Sequence, residues 1–228
     1  MEKIKNYIVI FAVIGFVSNI FAQEVTKSKS TFDIGADFAS RYVWRGLEFS
    51  DSPAVQPYLE FKIGDLTLGA WASYETGGQV VGQEFDIYAS YAIGPISLGF
   101  TDYSFPRDLA SAGYFMIQRH TGEATISFDG VKKFPLSIMI GVNVYNDDSN
   151  SVYTELKYPF TVDSVKLEAF VAGGNGIYAT NTNYKLTNFG LTASKDIKIT
   201  DSYSLGVSAS AIFNPDTDNS YLVFTISI

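Results

Sequence analysis

The sequence predicts an all-β fold: a closed antiparallel up-and-down transmembrane β-barrel of about 12 strands after an N-terminal signal peptide. Three observations lead to this class. Apolar residues beyond residue 30 recur with a period of two. The links between these segments alternate between short turns and longer polar loops. Only 18% of the 228 residues are charged and 15% are aromatic, whereas an ordinary soluble domain is roughly 25% charged.

Composition excludes several classes of protein. The chain has no cysteine and a single histidine, which excludes disulfide scaffolds, zinc–thiolate centres, cysteine nucleophiles and lipoprotein anchors. A formal charge of −8 argues against nucleic-acid binding, which needs a basic surface. The chain is also too apolar and aromatic to be disordered.

Residues 1–22 have the order of regions found in a secretory signal peptide. A net-positive start precedes an apolar run from Tyr7 to Phe21, and Ala22 offers a small residue for cleavage. A membrane-anchor helix is the alternative, but the run is shorter than the ~20 residues that span a bilayer. We therefore expect a signal peptide over 1–22 and an exported barrel over 23–228.

Each later segment has one apolar and one polar face. In 136–145, for example, Leu, Ile, Ile, Val and Val alternate with Ser, Met, Gly, Asn and Tyr. This alternation is typical of strands whose two faces meet different environments. The predicted strands are roughly 31–44, 53–63, 66–75, 83–93, 96–104, 117–128, 136–145, 151–160, 164–173, 184–194, 202–213 and 219–228.

The connections between these segments differ in length. Gly64-Asp65 and Gly94-Pro95 are short turns, whereas 45–52, 105–116 and 174–183 are longer and rich in polar residues or glycine. An even number of antiparallel strands, with short turns at one end and longer loops at the other, is the plan of bacterial outer-membrane barrels.

A soluble secreted barrel or sandwich is the alternative, because it would show the same period. Its polar faces should be rich in Lys and Glu. Here they carry mostly Gly, Ser, Thr, Asn and Tyr, which suits a watery or side-chain-filled lumen. Tyr42 and Trp44 lie in phase with Phe38 on the apolar face near a strand end. We expect them to belong to an interfacial aromatic girdle.

Charged side chains on the polar faces are predicted to line the lumen. The candidates for lining and selectivity are Arg41, Arg45, Glu60, Glu84, Asp86, Arg119 and Glu123. The first two arginines are expected to form either a charge ladder that narrows the pore or a structural salt bridge that braces the first hairpin. Acidic residues outnumber basic ones on this face, so a conducting lumen should have a mild cation preference.

Catalytic and metal sites find little support in the sequence. His120 lies in phase with the presumed lipid face, away from any nucleophile and base inside the lumen. Asp147 and Asp148, between Asn146 and Asn150, could hold Ca²⁺ through oxygen ligands, but a polar extracellular turn explains the same residues. We expect no enzymatic activity, no cofactor and no bound metal.

Two motifs carry a family resemblance. Ser40-Arg41-Tyr42-Val43-Trp44-Arg45-Gly46 precedes Pro53-Ala54-Val55-Gln56, and Gly69-Ala70-Trp71-Ala72-Ser73 precedes Glu84-Phe85-Asp86-Ile87-Tyr88. These motifs resemble the first hairpins of the TorF-type porin family, conserved hypothetical envelope proteins of Gram-negative bacteria. Pro57 departs from the pattern. The resemblance, sharpest over 38–106, implies an outer-membrane β-barrel without an established substrate or catalytic residues.

Together these features predict a porin-like protein of the cell outer membrane, for passive diffusion of small polar or charged solutes through a narrow lumen. A non-conducting structural or surface-contact barrel is the alternative, and an outer-membrane enzyme is a weaker one. Twelve strands lie between the ~8 that close around side chains and the ~16 that leave an aqueous channel. The expected partners are outer-membrane lipids, small polar solutes and the barrel-assembly machinery, and no nucleic acid.

Overall fold

Twelve antiparallel strands close into one barrel, which confirms the predicted fold class. The structure is a computed structural model that describes residues 30–77, 83–105 and 116–228; the predicted signal peptide lies outside these residues. The strands are β1 (Ser30–Ala39), β2 (Tyr42–Trp44), β3 (Leu47–Ser50), β4 (Ala54–Ile63), β5 (Leu66–Glu75), β6 (Glu84–Ile93), β7 (Ile96–Ser104), β8 (His120–Phe128), β9 (Ser137–Tyr145), β10 (Val152–Val162), β11 (Val165–Gly174), β12 (Lys185–Lys198), β13 (Ser204–Asn214) and β14 (Asn219–Ser227). Short 3-10 turns span Ile117–Arg119 and Gly176–Tyr178.

The barrel consists of β1 and β4 to β14, while β2 and β3 form a separate two-stranded sheet. Two-residue turns join β4 to β5, β6 to β7 and β10 to β11. Gly64 and Gly94 begin two of these turns with φ of 59° and 61°, the positive values that the first position of a type II′ turn requires. We call this the turn end and the opposite end, where the longer connections lie, the loop end.

The barrel is apolar outside and polar inside. On β8, Ile126 is 47% exposed, whereas Glu123, which points the other way, is fully buried. Soluble proteins show the reverse arrangement. Among the described residues, no helix is long and apolar enough to cross a membrane. The buried polar side chains include Gln56, Ser73, Glu75, Glu84, Asp86, Glu123, Asn143, Thr187, Asn188 and Asn214.

The β2–β3 hairpin folds into the lumen. Its residues contact β6 through Tyr42 and Glu84, and β7 through Trp44 and Tyr103. At its tip, the carbonyl of Gly46 accepts a hydrogen bond from β13. Because β13 is separated from β7 by five intervening strands of the closed barrel, only a segment inside the barrel can reach both. The hairpin therefore occupies the lumen near the loop end.

This hairpin corrects the predicted first strand. The sequence suggested one strand over 31–44, but the barrel strand β1 ends at Ala39. The period of two continues into β2, because a hairpin strand alternates as a barrel strand does. Periodicity alone does not distinguish a continuing strand from a second one that turns inward.

The half of the lumen at the turn end is open. Its wall carries small hydroxyl side chains that are only half-buried, so solvent reaches them. The lumen is therefore a polar cup, closed toward the loop end by the β2–β3 hairpin. The hydroxyl residues of this wall are Thr67, Ser90, Ser97, Thr125, Ser127, Thr192, Ser194, Ser208 and Ser210.

The natural absence of cysteine allows a direct test of the two faces. In barrels reconstituted in lipid vesicles, a polar, membrane-impermeant maleimide should modify Thr125→Cys, which faces the open cup. It should not modify Ile126→Cys at the neighbouring, outward-facing position, which the lipid would cover if the barrel spans the bilayer. Denaturation before labelling should make both thiols reactive, which controls for a difference in their intrinsic reactivity toward the maleimide. Preferential labelling of Ile126→Cys in the folded protein would contradict the assignment of faces.

Candidate functional site

Arg45 and Gly46 form the tip of the inward hairpin. Trp44 pairs with Leu47, and the two residues between them have φ of 51° and 78°, as the centre of a type I′ turn requires. Positive φ costs a non-glycine residue roughly 1–2 kcal/mol, so Arg45 must be held by its contacts. Gly46 is required here, since a Cβ atom would lie 2.3 Å from the backbone oxygen of Thr187.

Arg45 and Glu123 form a bidentate ion pair inside the barrel. The Nη1 and Nη2 atoms donate to Oε1 and Oε2 at 2.9 and 3.0 Å, and the side chains are 9% and 0% exposed. Burying two charges is favourable only when their remaining hydrogen-bonding groups are also satisfied. The Tyr103 hydroxyl donates to Glu123 Oε2 at 2.5 Å, and Arg45 Nη1 also donates to the Tyr178 hydroxyl at 2.7 Å.

Aromatic rings surround the guanidinium group. Its central carbon lies 4.3 Å from the ring centroid of Trp44, 4.4 Å from that of Tyr153 and 5.0 Å from that of Tyr178. At these distances a cation is attracted to the ring faces. We call Glu123, Tyr103, Tyr153 and Tyr178 the wall cage, because all four belong to the barrel and its loops.

Neighbouring residues position the wall cage. Gly141 leaves space for the Glu123 carboxylate, since a Cβ atom there would lie 1.7 Å from Oε1. The Tyr178 hydroxyl donates to Asn143 Oδ1 at 3.2 Å, and Asn143 Nδ2 donates to Asp147 Oδ2 at 2.9 Å. Asp147, in the loop after β9, thereby orients the amide that orients Tyr178.

Burial and hydrogen bonding set the ionisation of the groups outside the strands. Burial raises the pKa of Tyr178 to about 12 despite the nearby Arg45 charge, so the phenol stays neutral. Burial alone would lower the pKa of Arg45, but Tyr103 and Glu123 outweigh it and raise that pKa. Burial alone would raise the pKa of Asp147, but hydrogen bonds from Ser151 and other donors lower it.

A second contact holds the base of the hairpin. The Tyr42 hydroxyl donates to Glu84 Oε2 at 2.6 Å, and Glu84 is buried on the same face of β6 as Asp86. At the tip, Asn214 Nδ2 donates to the Gly46 carbonyl at 3.0 Å. The hairpin is thus fixed at its base by β6 and at its tip by β8 and β13.

The open cup has its own charged residues. The Tyr88 hydroxyl donates to Glu60 Oε1 at 2.7 Å. Lys157 Nζ lies 3.1 Å from Glu155 Oε1 and 3.8 Å from Glu168 Oε1. These groups are partly exposed, so they are available to a solute in the cup.

The structure brings several of the predicted lumen residues together. Arg45 contacts Glu123, and Glu84 and Asp86 are buried on the same face of β6. Two other predicted residues lie elsewhere. Arg41 pairs with Glu48 of the hairpin at 2.8 Å with partial exposure, and Arg119 belongs to a 3-10 turn because β8 begins one residue later.

The prediction that Tyr42 and Trp44 form an interfacial girdle is wrong. Tyr42 is 5% exposed and bonds to Glu84 in the lumen, and Trp44 packs against Tyr103 and Tyr178. Both residues belong to the inward hairpin. The prediction extended the in-and-out alternation of β1 beyond Ala39, where β1 ends, and so placed them on the wrong side of the wall.

His120 begins β8 at the loop end and is buried, with 7% of the residue exposed. Its Nδ1 atom is 2.9 Å from both carboxylate oxygens of Asp102 on β7. Within residues 30–77, 83–105 and 116–228, no group of three or more His, Asp or Glu side chains is arranged to hold a metal ion. In the loop proposed for Ca²⁺, the Asp147 oxygens accept hydrogen bonds from Asn143, Ser149 and Ser151.

Sequence reasoning missed the tyrosines of the wall cage and the hairpin that meets them. A signal for the hairpin was present: Arg45-Gly46 between two alternating apolar segments is a two-residue turn pattern. No local signal indicated Tyr153 or Tyr178, because they reach Arg45 only through barrel closure.

Comparison with known proteins gives one family. The family described as "Bacterial protein of unknown function (Gcw_chp)" matches residues 23–227. The chain belongs to this family. Among solved structures, this family member is similar to the translocator domain of autotransporter NalP from Neisseria meningitidis, with 10% identity and a TM-score of 0.33 over 99% of this chain and 96% of that chain. No curated protein matches the chain.

Removing the negative charge of the wall cage should strongly destabilise the barrel. Glu123→Gln leaves the buried Arg45 charge uncompensated, which typically costs ~3–5 kcal/mol. Urea unfolding, followed by heat-modifiable gel mobility, measures the loss. Glu168→Gln is the matched control: its carboxylate is 42% exposed, so it should cost ~0–1 kcal/mol. Equal losses would contradict the structural role of the Arg45–Glu123 ion pair.

Acidification should remove the contribution of Asp147. Its folded pKa lies below the ordinary value of ~3.9, so its stabilisation is present above that value and is lost as pH falls through the folded pKa. The unfolding midpoints of wild type and Asp147→Asn should therefore differ at neutral pH and converge below pH ~4. A difference in unfolding midpoint that is constant across this pH range would refute the claim that ionised Asp147 stabilises the fold.

Proposed function

We propose that this protein is an outer-membrane barrel for the diffusion of small polar or charged solutes, with the β2–β3 hairpin as its constriction. The observation that carries the proposal is the segment that folds into a polar lumen and is latched there by Arg45 and Glu123.

The apolar exterior supports a location in a membrane. Exposed side chains such as Phe100, Ile126, Leu222 and Phe224 are between 46% and 55% exposed, a costly arrangement in water. Hydrocarbon tolerates only structures whose backbone hydrogen bonds are all made internally, and a closed barrel fulfils this condition. With the predicted signal peptide, the outer membrane of a Gram-negative cell is the membrane that fits.

The resemblance of segment 40–61 to the TorF-type porin family points in the same direction. It covers β2 and β3, the hairpin that closes the lumen. Assembly would then require the barrel-assembly machinery, and the proposal includes no catalytic role. His120 is buried at the start of β8 and pairs with Asp102.

A mild cation preference is part of the proposal. Arg45 and Glu123 neutralise each other, so the charged side chains of the open cup determine the ion selectivity. On the lumen faces of the strands that form the cup, acidic residues (Asp33, Asp37, Glu60, Glu155, Glu168 and Asp196) outnumber basic ones (Lys62, Lys157, Lys166 and Lys198). Excess carboxylate in a confined lumen raises the local cation concentration.

A closed structural barrel is the second candidate function. The complete burial of Glu123, Tyr153 and Asn143 supports it, because these residues leave no passage where the hairpin contacts the wall. In this alternative the hairpin is a permanent core.

Planar-bilayer recordings distinguish the two functions. Wild type should give small discrete current steps, and replacing Val43–Phe49 by a short glycine linker should enlarge them, since the constriction is removed. Reversal potentials in a KCl gradient should show K⁺ preferred over Cl⁻. Gel mobility confirms folding of both barrels. A silent wild type with a conducting deletion variant would support the structural barrel, and anion preference would contradict the charge argument.

A further inference from the structure

The wall cage has the composition of a cation-binding site. It joins a carboxylate to the ring faces of Tyr153 and Tyr178 and to the hydroxyl of Tyr103. Glu123 and Tyr153 are fully buried, and Tyr178 is 1% exposed. A planar fork of N–H donors matches a carboxylate, and ring faces attract the positive charge. Guanidinium groups and amines are the ligands that such a site selects.

The group that now fills the cage comes from the hairpin, not from the wall. Glu123 lies on β8, Tyr103 on β7 and Tyr153 on β10, whereas Arg45 is the tip of the β2–β3 hairpin. Arg45 therefore occupies the cage as a ligand would, tethered to the barrel by the two short strands of the hairpin.

Two hydrogen bonds of the cage do not involve Arg45. Tyr103 donates to Glu123, and Tyr178 donates to Asn143, so these side chains have partners of their own. Without the arginine, however, Glu123 would be a buried carboxylate without a counter-charge, which is strongly unfavourable. The empty cage would thus bind a replacement cation.

The φ of 51° at Arg45 belongs to the two-residue turn between Trp44 and Leu47, so it persists when the side chain leaves the cage. The exchange of one cation for another leaves the charge of the cage unchanged.

We propose that the wall cage is a recognition site for small solutes that carry a guanidinium or amine group, and that Arg45 is its built-in competitor. A solute entering from the open cup replaces Arg45 at Glu123 and frees the hairpin tip from the wall. Movement of the solute through the lumen after this exchange rests on the function proposed above, but binding of the solute does not.

Calorimetry on the refolded barrel in detergent tests the binding. Arg45→Ala should bind methylguanidinium at one saturable site, and the added change Glu123→Gln should abolish it. Arg41→Ala removes the same charge but keeps Arg45, so it should bind at least ~10-fold more weakly, because a tethered competitor acts at high effective concentration. Urea, a neutral molecule of similar shape, should not bind. A folded Arg45→Ala barrel without saturable binding, or equal binding by Arg41→Ala, would overturn the proposal.

A second measurement needs no change to the cage. The chain has 2 tryptophans, so Trp71→Phe leaves Trp44, beside Arg45, as the sole reporter. Methylguanidinium should change its fluorescence saturably, whereas NaCl of equal ionic strength and urea should not. An identical response to NaCl, or none to methylguanidinium, would refute displacement. Because neither assay involves ion flow, failure of binding and failure of conduction are separate results.

Discussion

The buried ion pair of Arg45 and Glu123 is the constraint on which the interior of this barrel depends. Neither charge is tolerable alone in the lumen, so each fixes the position of the other. Tyr103 and Tyr178 complete the hydrogen bonds of the pair, and Gly141 leaves the space that the carboxylate needs. The left-handed backbone of Arg45 is accepted for the same reason, since the pair compensates its cost.

The exterior obeys a different constraint. Closure of the barrel satisfies the backbone hydrogen bonds of its strands. The outward side chains therefore need not supply hydrogen bonds and can be apolar. The polar side chains, which a soluble protein would place outside, line the lumen instead. This inversion also explains the composition: a low charge content and many aromatic residues are suited to a lipid-facing surface.

The hairpin links stability to function. A buried salt bridge contributes little net stability compared with an apolar contact, but it specifies one arrangement strongly. A segment held by such a pair is therefore well positioned when latched and can be released by a competing charge. A hairpin packed only by apolar groups would have no such competitor among small polar solutes.

The sequence by itself determined the barrel, because the period of two and the alternating link lengths are local properties of each strand and turn. It also selected Glu123, Glu84 and Asp86 as lumen residues from their phase. Arg45 was selected as well, but it reaches the lumen as the tip of the β2–β3 hairpin and not through the phase of β1. Only the tertiary structure decided which of them meet. The inward direction of β2 and β3, the position of Trp44 beside Arg45 and the tyrosines around the guanidinium depend on barrel closure. Closure brings together residues as far apart as Arg45 and Tyr178, which no local pattern connects.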